Sequence, residues 1–317
     1  MKASFWKLAS LLAALAMPLA CESQTVRIVV PFAAGGVQDI IARSISAEFG
    51  AKIGRTVIVE NRTGAGGTIG NASVSKSAPD GTTLLLAAAS HTITGHVYAK
   101  LPYHPLRDFT PVAHIGNVDY VLMINGDLPV RSVQELIAFL KKVPGKYNFA
   151  SAGTGSATHL SMAYFTSLAG VEMVHIPFKA TNEAIQEVMV GRAHAVMAST
   201  IGALPFAKDA RFKMLGVSGS KRSKFAPELP TIAESGLAGY EFDSWIGLLG
   251  PAGMPKATVD EMNAAVGALL KDPAILDRLA KQGVEPSALS PQAFARLLEG
   301  DFARMERIVK AAGARID

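Results

Sequence analysis

The sequence is poor in cysteine, with only Cys21 among 317 residues. A single thiol can form neither an internal disulfide bond nor a cysteine-rich metal site. The seven histidines include no pair at the H-x-x-x-H spacing that is typical of zinc ligands on a helix. The sequence therefore predicts neither a metal site nor another cofactor.

Long apolar runs are absent beyond the N-terminus. Lys2 and Lys7 precede an apolar stretch, Leu8 to Ala16, which is too short to span a bilayer, so residues 1–23 read as a signal peptide. The signal peptide predicts an exported, periplasmic chain. No later run reaches 18 apolar residues, so no membrane-spanning helix is expected. The formal net charge of +5 is not concentrated in one run, so nucleic acid is not an expected partner.

The position of Cys21 leaves two alternatives for the leader. Leu19, Ala20 and Cys21 partly fit a lipoprotein signal, in which the cysteine becomes the lipidated first residue. However, Pro18 occupies the position where such signals carry a bulky aliphatic residue. We favour ordinary cleavage between Ala20 and Ser23 over lipid anchoring.

No enzyme motif is complete. The segment Gly216–Ser220 lacks the second glycine of G-x-S-x-G. The glycine-rich segment Thr63–Gly70 fails the dinucleotide-binding spacing because Ile69 occupies the third glycine position, so a structural turn is favoured. The sequence therefore predicts a binding protein rather than an enzyme.

Two segments share a strand–loop–helix pattern. The apolar strand Val26–Phe32 leads into a glycine-containing loop and a helix that carries Asp39. About 120 residues later, Tyr147–Ser151 leads into a Gly/Ser/Thr loop and a helix that carries His159. Free N–H groups and the positive end of the helix dipole suit such a junction to an anion. Two junctions without a catalytic set predict an anion held between two lobes.

The first part of the chain reads as an α/β block. Strands are predicted at Val26–Phe32, Thr56–Glu60 and Thr82–Ala88, with helices between them. The segment Leu101–Pro111 contains three prolines, which favours an extended crossover to a second lobe.

A second α/β block follows. It includes a helix opened by the capping box Ser132-x-x-Glu135, and it ends in a long return at Ser220–Gly239. The strand Trp245–Leu249 and a second capping box, Thr258-x-x-Glu261, then begin the C-terminal part.

This order predicts an α/β clamshell with two crossovers, the type II periplasmic binding-protein fold. Each lobe has a mostly parallel sheet flanked by helices. Residues 24–103 and 228–317 are assigned to the first lobe, and residues 104–227 to the second.

The motifs resemble those of the substrate receptors of tripartite tricarboxylate transporters, the Bug-type proteins. The matching segments run in order along nearly the whole chain after the leader: Pro31–Asp39, Glu60–Gly67, Pro79–Leu84, Leu101–Pro111, Ala150–Leu160, Leu229–Glu241 and Trp245–Gly253. The resemblance implies a secreted receptor that captures small carboxylates and presents them to a membrane permease. It also implies that a ligand carboxylate lies between the two junctions, with ordered waters helping to bridge the lobes.

One region departs from the family pattern. The family usually has a glycine after the lysine or arginine of the strand-end motif, but Ala180 follows Lys179 here. The family also usually has an acidic residue in the strand that reads Arg192–Met197. These differences affect the far end of the pocket and therefore the identity of the ligand.

The expected ligand contacts lie in the two junctions and at the carboxyl ends of neighbouring strands, where ligands of open α/β sheets bind. In the first lobe they are Phe32, Ala34, Gly35, Gly36, Asp39, Ser90, His91 and Thr92. In the second lobe they are Ser151, Gly153, Thr154, Gly155, Ser156, His159, Phe178, Lys179, Ala180, Ser199 and Thr200.

Some of these residues have alternative roles. Asp39 would repel a carboxylate, so it more plausibly caps the helix or orients a water molecule. His159 fits a structural role better than a ligand contact. Phe32 and Phe178 could line the cleft or belong to the core, and Lys179 could meet a second carboxylate or form a salt bridge between the lobes.

The expected function is a transport receptor for a small carboxylate, with membrane permease subunits as partners. A carboxylate sensor for a signalling partner would share the same pocket. An enzyme is less favoured because no activated nucleophile or metal set is present. Dicarboxylates, tricarboxylates, aromatic acids and amino acids all fit a site made of two helix ends.

Overall fold

The computed structural model describes residues 25–314, which form eleven strands and ten α-helices. The predicted signal peptide, with Cys21, lies outside the described residues. Among residues 25–314, every helix is too short or too polar to cross a lipid bilayer.

The secondary structure alternates between strands and helices. The strands are β1 Val26–Val30, β2 Val57–Asn61, β3 Thr83–Ala88, β4 Phe109–Val118, β5 Tyr120–Asn125, β6 Asn148–Ser151, β7 Val174–Pro177, β8 Ala195–Ser199, β9 Phe212–Val217, β10 Ser244–Pro251 and β11 Val284–Pro286. The helices are α1 Val37–Ile53, α2 Thr68–Ser75, α3 Ser90–Val97, α4 Val133–Lys141, α5 Ala157–Ala169, α6 Thr181–Met189, α7 Thr200–Ala203, α8 Lys256–Leu269, α9 Pro273–Ala280 and α10 Pro291–Ala311.

The strands form two mixed sheets. The first has the order β11-β4-β10-β3-β1-β2, with β1, β2 and β3 parallel and β10 antiparallel to both β3 and β4. The second has the order β7-β6-β8-β5-β9, with β6 parallel to β7 and β8. Two sheets flanked by helices confirm the predicted two-lobed α/β fold, but both sheets are mixed and not mostly parallel as predicted, because β5 and β10 run antiparallel to their neighbours.

Parallel pairing determines where the two junctions lie. In the first sheet, β1 ends beside β3, so the loop after β1 and the start of α3 share one edge. In the second sheet, β6 ends beside β7 and β8 in the same way. One apolar cluster runs from the first sheet into the second and includes Leu85, Leu122 and Tyr240.

The chain passes between the sheets later than the sequence suggested. Residues 104–118 were assigned to the second lobe, but β4 pairs with β10 and β11 in the first sheet. The crossing is the single residue Asp119 between β4 and β5. Proline was misleading as a crossover signal, because Pro111 lies inside β4 beside an irregularity in its pairing with β10, a place where a strand tolerates proline.

The two predicted capping boxes have different outcomes. Ser132 caps α4 by accepting a hydrogen bond from the N–H of Glu135 at 3.1 Å, which confirms the first. The second is wrong: α8 already begins at Lys256, and no side chain caps it. Glu261 pairs with Arg55 instead, at 3.6 Å.

A buried carboxylate joins the C-terminal helix to the first lobe. Asp301 of α10 is 5% exposed and accepts hydrogen bonds from Thr92 Oγ1 at 2.6 Å, Trp245 Nε1 at 2.8 Å and Arg304 at 2.7 Å. These donors come from α3, β10 and α10. The three elements are therefore held together by one side chain.

Replacing Asp301 with Ala should strongly destabilise the protein. The change leaves three donors, one of them cationic, without their acceptor, and removing one member of a buried ionic set costs about 3–5 kcal/mol. Urea unfolding measures the loss. The control is Asp260→Ala, which removes an exposed carboxylate paired with Lys256 and should change the unfolding free energy by less than about 0.5 kcal/mol. Equal losses in the two variants would contradict this role of Asp301.

Candidate carboxylate site

The first junction is an exposed loop that is stabilised by the buried carboxylate of Asp39. Ala33, Ala34 and Gly35 are exposed, whereas Asp39 is only 3% exposed. Its Oδ2 accepts a hydrogen bond from the N–H of Gly35 at 2.9 Å. Gly35 has a φ of +79°, a conformation that glycine adopts without steric cost. The carboxylate of Asp39 therefore fixes the shape of the loop.

Two side chains outside the loop hold Asp39 in place. Arg43 Nε lies 3.0 and 3.1 Å from its two oxygens, and Asn61 donates to Oδ1 at 2.9 Å. Asn61 also donates to the carbonyl of Phe32 at 3.0 Å, so one side chain bonds both the loop and the Asp39 carboxylate. Burial raises the pKa of Asp39, but the bonds from Arg43, Gly35 and Asn61 outweigh it and hold the pKa below its usual value. Asp39 is thus an ionised support whose charge is paired with Arg43.

The open donors at this junction differ from those expected. The N–H groups of Gly35 and Gly36 were predicted to face the anion, but they donate to Asp39 and to the carbonyl of Ala33, the latter at 3.2 Å. The N–H groups of Val37 and Gln38, in the first turn of α1, have no hydrogen-bond partner within residues 25–314. The anion-binding capacity therefore lies at the start of the helix.

The second junction is held by its own hydroxyl groups. Ser151 Oγ accepts from the N–H of Gly153 at 3.1 Å, and Ser156 Oγ caps α5 by accepting from the N–H of His159 at 3.2 Å. Thr158 Oγ1 accepts from Ala152 at 2.9 Å. Ser156 therefore caps the helix locally, and the three hydroxyls hold the backbone of the loop.

Several backbone donors remain open at the second junction. The N–H groups of Thr154, Ala157 and Thr158 have no partner in the described part of the chain. Those of Gly155 and Ser156 are used internally, by His159 Nδ1 at 3.2 Å and the Gly153 carbonyl at 3.1 Å. Open N–H groups again lie in the first helical turn, as they do in α1.

A pair of stacked histidines supports this loop. The rings of His159 and His175 lie 3.9 Å apart, 20° from parallel, and His175 Nε2 is 2.7 Å from Ser151 Oγ. Burial, with His175 as a secondary cause, lowers the pKa of His159 to about 3, and burial lowers that of His175 to about 4. Both rings are therefore neutral at neutral pH. The structural role of His159 is present, and its partner His175 was missed by the sequence analysis.

The glycine turn 64–67 lies between the two junctions. A Cβ on Gly67 would lie 3.5 Å from the ring of Phe32 in the first junction. A Cβ on Gly66 would lie 3.3 Å from the carbonyl of Thr154 in the second. The same atom would lie 2.9 Å from the hydroxyl of Tyr98, which the sequence analysis also missed. The predicted structural turn thus brings the two junctions together.

Four of the predicted ligand contacts have hydrogen-bond partners within the fold. His91 is 1% exposed with Nε2 2.8 Å from the Pro105 carbonyl, and burial lowers its pKa to about 4. Thr92 bonds Asp301, Ser199 caps α7, and the fully buried Thr200 donates to the Asp119 carbonyl. Ser90 is 6% exposed and is the first residue of α3, next to His91 and Thr92. We exclude all five residues from the site proposed below.

The loop after β7 lies beside the second junction. Phe178 donates its N–H to the Ser151 carbonyl at 2.9 Å, and its own carbonyl would be 3.4 Å from a Cβ on Gly153. Lys179 is exposed, and its ammonium forms no ion pair with the described residues, so the alternative of a salt bridge between the lobes is not observed. Ala180 precedes α6.

The match to a known family agrees with this geometry. The sequence profile described as "Tripartite tricarboxylate transporter family receptor" matches residues 41–314. The chain belongs to this family. The resemblance inferred from the motifs is thereby confirmed, and so is a receptor rather than an enzyme, because the family and its structural neighbours are periplasmic solute-binding proteins.

Individual relatives cover nearly the whole receptor. A UPF0065 protein from the tcbD-tcbE intergenic region of a Pseudomonas species is 33% identical over 291 residues, 92% of this chain and 87% of the relative. The structure of Rpa4515 from R. palustris with adipate has a TM-score of 0.84 and 34% identity, covering 92% of this chain and 98% of its own. MatC from Rhodopseudomonas palustris with bound malate has a TM-score of 0.81 and 32% identity, covering 90% and 98%.

The stacked histidines should stay neutral well below their ordinary pKa. Imidazole NMR titration should place both midpoints at or below pH 5, with signals assigned through His175→Phe. Because unfolded histidine binds protons near pH 6.5, stability falls as the pH drops from that value towards 4, and His175→Phe should reduce this loss. A midpoint near 6.5 for either ring would show that the pair is not buried as described.

Proposed function

We propose that this protein is an extracytoplasmic receptor that captures a small carboxylate between its two lobes and delivers it to a tripartite tricarboxylate-type membrane permease. Export by the N-terminal signal places it in the periplasm. The observation that carries the proposal is the pair of helix starts, α1 and α5, each with unpartnered N–H groups in its first turn.

Two helix ends suit a carboxylate for a simple electrostatic reason. Each helix start presents N–H donors and the positive end of a dipole, and a carboxylate has two oxygens that accept from both. The negative charge of Asp39 is offset, because Arg43 forms an ion pair with it and Asn61 donates to Oδ1. Closure of the lobes then brings both sets of donors to one ligand.

The proposed site contains the residues around these donors. They are Phe32, Ala34, Gly35 and Gly36 in the first lobe and Ser151, Gly153, Thr154, Gly155, Ser156, Phe178, Lys179 and Ala180 in the second. Asp39 and His159 position the loops. The adipate and malate held by two relatives support a dicarboxylate as the ligand.

Replacing Gly35 with Ala should weaken ligand binding, whereas the same change at Gly54 should not. Gly35 and Gly54 both have positive φ, +79° and +65°, and a Cβ on either would meet nothing within 4 Å. The backbone strain is therefore similar in both alanine variants, about 1–2 kcal/mol. Only Gly35 lies in the junction, so only Gly35→Ala should reduce affinity, by about fivefold or more.

The measurement is calorimetry with the ligand that most raises the melting temperature in a carboxylate panel including adipate and malate. A ligand at about 100 times its dissociation constant should stabilise the protein by about 2.7 kcal/mol. A Gly35→Ala protein that binds as tightly as Gly54→Ala would remove the first junction from the site. A panel without any stabilising carboxylate would contradict the proposed function.

Lys179 should determine a preference for ligands with a second negative group. Its unpaired ammonium can form a charge-assisted hydrogen bond with a second carboxylate. Lys179→Met should therefore lower the affinity for dicarboxylates more than that for monocarboxylates of equal length. The control is Lys142→Met, which removes an exposed lysine of the second lobe outside the site and should change neither. Equal losses for both ligand classes would assign Lys179 to the scaffold.

A further inference from the structure

The two connections between the lobes lie side by side. Asp119 joins β4 of the first sheet to β5 of the second, and Asp243 immediately precedes β10. Because Ser244 pairs with Val118 in antiparallel register, Asp243 and Asp119 are the next residues along these two strands. Any rotation of one lobe against the other therefore passes through this pair of residues.

A serine at the end of β9 links the two connections. Ser218 is fully buried, and its Oγ accepts from the N–H of Tyr120 at 2.9 Å and donates to the carbonyl of Phe242 at 2.7 Å. Its backbone N–H donates to the Tyr120 carbonyl at 2.7 Å, and its carbonyl accepts from Phe242 at 2.9 Å. The connecting strands are thus held close together at the point where their aspartates lie.

The two aspartates face one small space. A Cβ on Gly219 would lie 3.0 Å from Asp243 Oδ1 and 3.1 Å from Asp119 Oδ1. Both side chains are half-buried, and glycine at 219 leaves this space to the carboxylates. Two ionised carboxylates that both lie next to Gly219 repel each other, and partial burial strengthens the repulsion.

Neighbouring cations do not neutralise the pair. Arg304 directs its hydrogen bonds to the backbone carbonyl of Asp243 at 3.1 Å and to Asp301 at 2.7 Å. Lys224 pairs with Glu285, and Arg222 pairs with Glu234. The exposed Lys221 forms no ion pair with the described residues.

The remaining neighbours add negative charge. Burial, and then the charge of Asp119, raises the pKa of Asp243 to about 7, with smaller contributions from Glu241 and Asp301 and an opposing one from Arg304. Burial and Glu285 raise the pKa of Asp119, against a hydrogen bond from Ser223. One proton shared by the pair would remove the repulsion.

We propose that Asp119 and Asp243 form a proton-binding site in the hinge, and that a bound proton favours the arrangement of the lobes seen here over one in which the two carboxylates are farther apart. In the arrangement seen here the glycine turn 64–67 lies against both junctions. We therefore take the second arrangement to be the open form of the clamp, so the inference rests on the proposed function for its existence. The proton is then a second ligand of the receptor, which binds in the hinge and not in the carboxylate site.

The direction of the pH effect follows from linkage. Between the ordinary pKa of aspartate, about 4, and about 7, the arrangement seen here binds more protons than an open form with separated carboxylates. Acidification from pH 8 to 6 therefore favours closure. Ligand capture in this range takes up a proton, and affinity rises by at most about tenfold per pH unit.

The experiment measures lobe closure without any ligand. Spin labels at Lys52→Cys in the first lobe and Lys141→Cys in the second, in a Cys21→Ser background, report the distance between lobes by double electron–electron resonance. The distribution should shift towards the arrangement described here between pH 8 and 6. Asp243→Asn removes the charge permanently, so its distribution should already be shifted at pH 8 and should not depend on pH.

The control is Glu241→Gln, which removes an exposed negative charge two residues away and should keep most of the pH dependence. A distribution that does not respond to pH, or an equal response in Asp243→Asn, would overturn the inference. Carbon NMR of the aspartate carboxyl groups gives a second test: one midpoint near pH 7 should disappear in Asp243→Asn, and midpoints all below 5 would also overturn it. Because no carboxylate is added, failure of the proposed function would not be mistaken for failure of the hinge.

Discussion

The proposed receptor depends on one constraint: N–H groups at the starts of α1 and α5 have no acceptor within the described residues and are available to a ligand. The first N–H groups of a helix have no partner within the helix. Those of Val37 in α1 and Ala157 in α5 remain without a partner in the described chain, although Ser156 caps α5 by accepting from His159. The N–H groups of Gly35 and Gly155 are bonded by the side chains of Asp39 and His159, and those of Gly36 and Ser156 by backbone carbonyls. In the proposed function, the remaining N–H groups bind the carboxylate that enters between the lobes.

The two loops are fixed by different chemistry for the same purpose. In the first, an ionised carboxylate, Asp39, is held below its usual pKa by donors that include Arg43 and Asn61. In the second, the stacked rings of His159 and His175 are uncharged. Neither loop therefore presents an unpaired charge, and in the proposed function binding relies on oriented N–H groups that require no reorganisation.

The sequence predicted the features that depend on local pattern. The strand–loop–helix junctions, the cap at Ser132 and the two-lobed fold all follow from hydrophobic periodicity, glycine and capping residues within short windows. It did not predict features that depend on which strands become neighbours. His175 meets His159 only because β7 pairs with β6, and β4 belongs to the first sheet only because it pairs with β10. Nor did it predict that Thr92, an expected ligand contact, donates to Asp301, a partner 209 positions away.

The most direct test of the account follows the amide signals of an isotope-labelled protein during titration with the carboxylate that stabilises it most. The account predicts that the signals of Val37 and Gln38 in α1 and of Ala157 and Thr158 in α5 move together, with one midpoint, because one ligand accepts from both helix starts. Movement at only one of the two helices would show that the carboxylate is bound by a single lobe and would contradict the account.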